Sequence, residues 1–135
     1  MKEIEGQLWI ENIPVINLAR EYGSPIFIYS VEQIKSNFGK YQNEVGSNDL
    51  ICYAVKANSN LHILKLLSEL GSGFDVVSGN ELKRCLKAGA DKNKIVFSGV
   101  AKSNEEIKLA VENEILSINI ESVSYTHLRA HETAY

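Results

Sequence analysis

Apolar positions along the chain alternate between two rhythms. Leu61, Leu64, Leu67 and Leu70 recur at helical spacing, and Gly71 follows as a stop. Between such stretches lie short continuous runs of β-branched and aromatic residues, over 25–29, 51–56, 74–77 and 95–97, each of which reads as a strand. Polar punctuation falls where helices should open. Ser30-Val31-Glu32-Gln33, Ser78-Gly79-Asn80-Glu81 and Ser103-Asn104-Glu105-Glu106 all have capping-box spacing. The second of these precedes Leu82, Cys85 and Leu86 and stops at Gly89; the third precedes Ile107, Ala110 and Val111. Ile118-Asn119-Ile120 then reads as the start of a fifth strand.

Strands alternating with helices of about ten residues mean parallel βαβ units, an α/β fold. A doubly wound sheet and a (β/α)8 barrel both begin this way. No GxGxxG follows the first strand, so a dinucleotide-binding sheet has no support. A full barrel needs about 250 residues. The 135 residues here hold four to five of its βα units.

Composition removes several function classes. A net charge of −3, with Lys and Arg scattered, offers no electrostatic footprint for nucleic acid. No apolar stretch approaches the roughly 18 residues of a membrane span. The start of the chain, Met1-Lys2-Glu3-Ile4-Glu5-Gly6, is acidic and lacks the apolar core of a signal peptide, so a cytoplasmic location is expected. Cys52 and Cys85 sit in apolar runs without a CxxC partner and read as buried, reduced thiols.

Lys56 closes the apolar run 51–56, just before Ala57-Asn58-Ser59-Asn60. On a strand, Cys52, Ala54 and Lys56 share one face, so the lysine has two small neighbours and room beside it. Partial burial would favour the neutral amine, the form that attacks a carbonyl to make a Schiff base. The plain alternative is a lysine that snorkels to solvent from a strand end.

The wording around Lys56 goes further. Tyr53-Ala54-Val55-Lys56-Ala57-Asn58, followed by Asp75-Val76-Val77-Ser78-Gly79-Asn80-Glu81, resembles the barrel-fold (fold type III) pyridoxal-phosphate-dependent decarboxylases. Gly23-Ser24-Pro25-Ile26-Phe27-Ile28-Tyr29 and Val96-Phe97-Ser98-Gly99-Val100-Ala101-Lys102-Ser103 extend the resemblance in order and spacing. Within that family the spelling of 53–58 is most similar to the diaminopimelate-specific branch.

The resemblance implies an N-terminal part of a (β/α)8 barrel and pyridoxal 5′-phosphate as cofactor. It implies catalysis through Lys56, which would carry the cofactor as a Schiff base, with Ala54 and Asp75 at the cofactor site. The implied reaction is decarboxylation of meso-2,6-diaminopimelate to L-lysine. Alternatives are a decarboxylase for arginine, ornithine or carboxynorspermidine, or a non-catalytic single-barrel carrier of the cofactor. A small amino-acid substrate and a homodimer of the full-length protein are implied as partners, without nucleic acid or membrane.

Residues 1–25 would be an arm joining a C-terminal β domain, and 26–122 a partial cofactor-binding barrel. The string 123–135 has neither period and is similar to a translated sequencing adapter, so it reads as a non-native tail, the fragment itself being inactive. Asn80 and Ala101 stand where the family often has glycine. Ser78, Gly79 and Glu81 could meet a phosphate, but their capping spacing explains them without one. His127 and His131, four apart, lack a third ligand and carry no zinc reading; His62 reads as a solvated surface residue.

Overall fold

The chain turns twice within its first fourteen residues. In the computed structural model, which describes residues 1–121, Glu5 and Gly6 both take positive φ, +51° and +73°. Such a two-residue loop matches the right-handed twist of a hairpin. It joins β1 (Lys2–Ile4) antiparallel to β2 (Gln7–Ile10), and a second turn with Glu11 at φ +53° adds β3 (Ile13–Pro14). Helix α1 (Val15–Tyr22) follows and ends at Gly23, whose φ of +86° favours a residue without Cβ. Helix α2 (Val31–Glu44) starts on Ser30, whose hydroxyl oxygen accepts the Gln33 amide at 3.0 Å. Gln33 does not close the expected box. The second cap comes from the β2–β3 turn instead, where Glu11 Oε1 accepts the Glu32 amide at 3.0 Å and the Ser30 hydroxyl at 2.7 Å. Those two donors hold the Glu11 carboxyl below its ordinary range.

The strand expected over 25–29 does not form. The segment runs without a ladder partner among the described residues, and Phe27 is 91% exposed. Its apolar pattern suits a strand, but a strand exists only where a neighbour supplies the ladder.

These elements make up a first compact unit, residues 1–45; a second begins at Gly46. The second is a parallel sheet of β4 (Cys52–Ala54), β5 (Gly73–Val76), β6 (Ile95–Phe97) and β7 (Ser117–Ile118), in chain order. Helices α3 (Leu61–Glu69), α4 (Gly79–Lys87) and α5 (Asn104–Glu112) make the crossovers. Order without reversal is the wall of a barrel, not the switch point of a doubly wound sheet. The fifth strand is shorter than its apolar letters predict, ending at Ile118.

Register sorts the side chains into two faces. Tyr53, Phe74 and Ile95 lie in one row and Val76, Phe97 and Ile118 in the next, all turned toward the helices. Phe74, Val76, Ile95 and Phe97 are wholly buried, as are Leu64, Leu82, Cys85 and Ala110 on the helices. Each large apolar side chain so buried contributes roughly 1.5–3 kcal/mol. The opposite face carries the row Ala54, Asp75, Val96, Ser117, only partly covered. Gly73 belongs to that face, and a Cβ there would stand 2.5 Å from the Lys94 carbonyl oxygen and 2.8 Å from Cys52 Sγ. No described helix is long and apolar enough to cross a membrane.

Candidate functional site

Four parallel strands bring their C-terminal ends to one edge of the sheet, the edge at which barrel enzymes place their chemistry. Lys56 lies there, though not on the strand. Strand β4 stops at Ala54, and Val55, Lys56 and Ala57 form a single 3₁₀ turn against β5. The turn drives Val55 fully into the core and leaves Lys56 exposed. The strand expected to run through Lys56 therefore ends two residues early, and the desolvation argued from strand burial is not found. Cys52 and Ala54 do share a face, as alternation requires.

Asp75 is the third residue of β5 and sits in register with Ala54. Its Oδ1 is buried and has no hydrogen-bond partner among the described residues. A buried carboxylate oxygen calls for a donor, which water or a ligand can supply at this face. Cys52 shares this face; burial, then the Asp75 charge, push its thiol up. Both cysteines are free; Cys85 is buried and pushed up to about 12, chiefly by burial, whereas Cys52 is only half-buried.

Two amides of the first turn of α4, and the Val77 amide before it, are taken by side chains. Glu81 Oε2 accepts the Val77 amide at 2.8 Å, Ser78 Oγ accepts the Glu81 amide at 3.3 Å, and Glu106 Oε1 accepts the Gly79 amide at 2.6 Å. Ser78, Gly79 and Glu81 are thus helix-capping residues, although the box at Ser78 is one-sided. The box at Ser103 is complete: Glu106 Oε2 accepts the Ser103 amide at 3.0 Å while Ser103 Oγ accepts the Glu106 amide at 3.3 Å. Glu106 so joins the starts of α4 and α5, and the Gly79 and Ser103 amides hold its carboxyl below the usual range. Its letter announces the capping box, but nothing local announces the bond to Gly79, 27 residues away.

Lys102 competes with Lys56 as a lysine at this edge, and the structure assigns it other work. It is 7% exposed, donates to the Gly99 and Asn119 carbonyls at 2.5 and 2.8 Å, and lies 5.6 Å from the centre of the Phe97 ring. An ammonium so engaged ties the ends of β6 and β7 together. His62, on α3, is exposed as expected. His127, His131 and the string 123–135 lie outside the described residues. No cluster of metal-binding side chains occurs among the described residues.

The edge thus presents a primary amine open to solvent, a small Ala54 leaving room beside it, and a buried acceptor on Asp75. A carbonyl-bearing, hydrogen-bonding cofactor such as pyridoxal phosphate suits that donor set. Comparison with known proteins agrees. Residues 31–132 match the model of the family described as pyridoxal-dependent decarboxylase, pyridoxal binding domain. A diaminopimelate decarboxylase of Vibrio cholerae is 49% identical over 119 residues, covering 87% of this chain and 28% of that protein. A crystal structure of an Aquifex aeolicus protein superposes with a TM-score of 0.90 at 43% identity, covering 94% of this chain and 32% of its own. That of the diaminopimelate decarboxylase from M. jannaschii does so with a TM-score of 0.87 at 37% identity, covering 94% and 31%. The chain spans under a third of the length of these relatives. A parallel wall in barrel order, a lysine at its C-terminal edge and a family match over residues 31–132 place the chain in the pyridoxal-dependent decarboxylases, through their pyridoxal-binding domain.

Proposed function

We propose that Lys56 is the residue that binds pyridoxal phosphate, with Asp75 and Ala54 completing this side of the cofactor site. The observation that carries the reading is the unpartnered, buried Asp75 Oδ1, in register with Ala54 and beside the turn that presents Lys56. Lys56, through its Nζ, would be the residue that holds the cofactor covalently at its carbonyl group. Asp75 Oδ1 accepts a hydrogen bond and sets a negative charge that orients and steadies a cation at the site. Ala54 keeps the space between them open. Bound there, pyridoxal phosphate supplies a sink for the electron pair left behind when a carboxylate departs as carbon dioxide.

The whole protein, on this reading, decarboxylates meso-2,6-diaminopimelate to L-lysine in the cytoplasm as a homodimer. The high identity to a protein named for that substrate supports diaminopimelate over other amino acids. Residues 1–25, with their antiparallel meander, are the part that joins a separate β domain, and 123–135 is a non-native tail.

The test is chemical trapping. The protein is incubated with pyridoxal phosphate, reduced with borohydride, digested and mapped by mass spectrometry. The pyridoxyl group is expected on Lys56; a label concentrated on Lys102 or another lysine instead would overturn the assignment.

A further inference from the structure

The turn that presents Lys56 is tied at three points, and none of the ties involves Lys56 itself. Val55, wholly buried, plugs the turn into the core. Tyr53, three residues before Lys56, points to the helix side of the sheet, where its ring meets Phe74 edge-on, centroids 6.5 Å apart and planes at 85°. From there its hydroxyl donates to the Asn58 carbonyl at 3.2 Å. That bond closes a loop around residues 54–57, so the backbone on both sides of Lys56 is held by one side chain. The third tie comes from another helix: Arg84 of α4 donates through Nη1 to the Ser59 carbonyl at 3.2 Å. Asn58 Oδ1 then accepts the Asn60 amide and Asn60 Oδ1 the His62 amide, both at 2.9 Å, passing the chain directly into α3.

We propose that Tyr53, assisted by Arg84, is a positioning residue for Lys56. The role rests on the assignment of Lys56 given above. An exposed lysine has a long, free side chain, so the direction in which it reaches is set by the backbone turn beneath it. Tyr53 fixes that turn from behind the sheet, leaving the open face clear for a ligand. Groups that react must be held within a fraction of an ångström by neighbours that are themselves locked. The Tyr53 ring, half-buried, packs edge-on against Phe74, which is wholly enclosed.

Tyr53→Phe isolates the hydroxyl, because the ring and its packing stay. The reading is the borohydride-trapped pyridoxyl label on Lys56, divided by that on Lys65, an exposed lysine of α3 in the same digest. Tyr53→Phe is expected to lower this ratio roughly tenfold, as a misplaced reacting group would, with the thermal midpoint little changed. Arg84→Met, which leaves β4 untouched, is expected to lower it less. General loosening of the fold would move the midpoint and leave the ratio near its wild-type value. A ratio unchanged in both variants, with the wild-type label on Lys56, overturns the positioning role alone. A wild-type label on a different lysine overturns the cofactor assignment, and the positioning role falls with it.

Discussion

Gly79→Ala probes the joint between α4 and α5. A Cβ at position 79 would lie 2.9 Å from Glu106 Cγ and 3.3 Å from its Oε1. Glu106 cannot swing aside freely, because the same carboxylate accepts the Gly79 amide at 2.6 Å and the Ser103 amide at 3.0 Å. Position 79 is not in the left-handed region, so the cost is steric. Overpacking of this kind costs about 1–3 kcal/mol, against which alanine's better helix propensity returns at most about 1 kcal/mol. A net loss of about 1–2 kcal/mol is expected.

Glu106→Ala breaks the capping box and orphans the buried Gly79 amide, for about 2–3 kcal/mol. Clash and hydrogen bond involve the same carboxylate, so the double variant should be less damaged than the sum by about 1–2 kcal/mol. Urea unfolding of the four proteins at neutral pH measures this. Losses that add within about 0.5 kcal/mol would refute the shared-carboxylate account. An independent check is acid. The folded-state carboxyl of Glu106 is depressed, so its stabilisation is full above the unfolded-state value of about 4.3 and fades as pH falls through the lower, folded value. The cost of Glu106→Ala should accordingly shrink in that acid window.

Gly73→Ala should cost about 1–3 kcal/mol or more in urea unfolding, since the new methyl meets the fixed Lys94 carbonyl oxygen as well as Cys52 Sγ. Asp75→Asn keeps shape but removes charge, so the pH midpoint of the cofactor absorbance band should fall while thermal stability holds; an unmoved midpoint would reduce Asp75 to a structural residue. The 135-residue chain with excess pyridoxal phosphate should release no carbon dioxide from meso-diaminopimelate. Among its described residues the Lys56 side of the sheet is only partly covered, and the reaction needs an enclosed, water-excluding pocket; Lys56-dependent turnover would refute this.

Helices α3, α4 and α5 were legible from Leu61 to Leu70, from Leu82 to Leu86 and from Ile107 to Val111, because a buried helix face imposes its period on the letters. The motif at 53–58 likewise carried the family resemblance, which the match over residues 31–132 bears out. Three things lay beyond local pattern. The segment 25–29 has a strand's composition and no strand, for want of a ladder partner among the described residues. The 3₁₀ turn at 55–57 overrides alternation where the ladder stops, after the last paired residues of β4 and β5, Ala54 with Asp75. The bonds from Glu106 to Gly79, from Lys102 to Asn119 and from Arg84 to Ser59 join residues 17 to 27 apart. Periodicity encodes which side of an element faces the core, since that choice repeats every turn or every second residue. Which donor meets which acceptor across a crossover depends on register and on where each strand stops, and only the assembled sheet decides that.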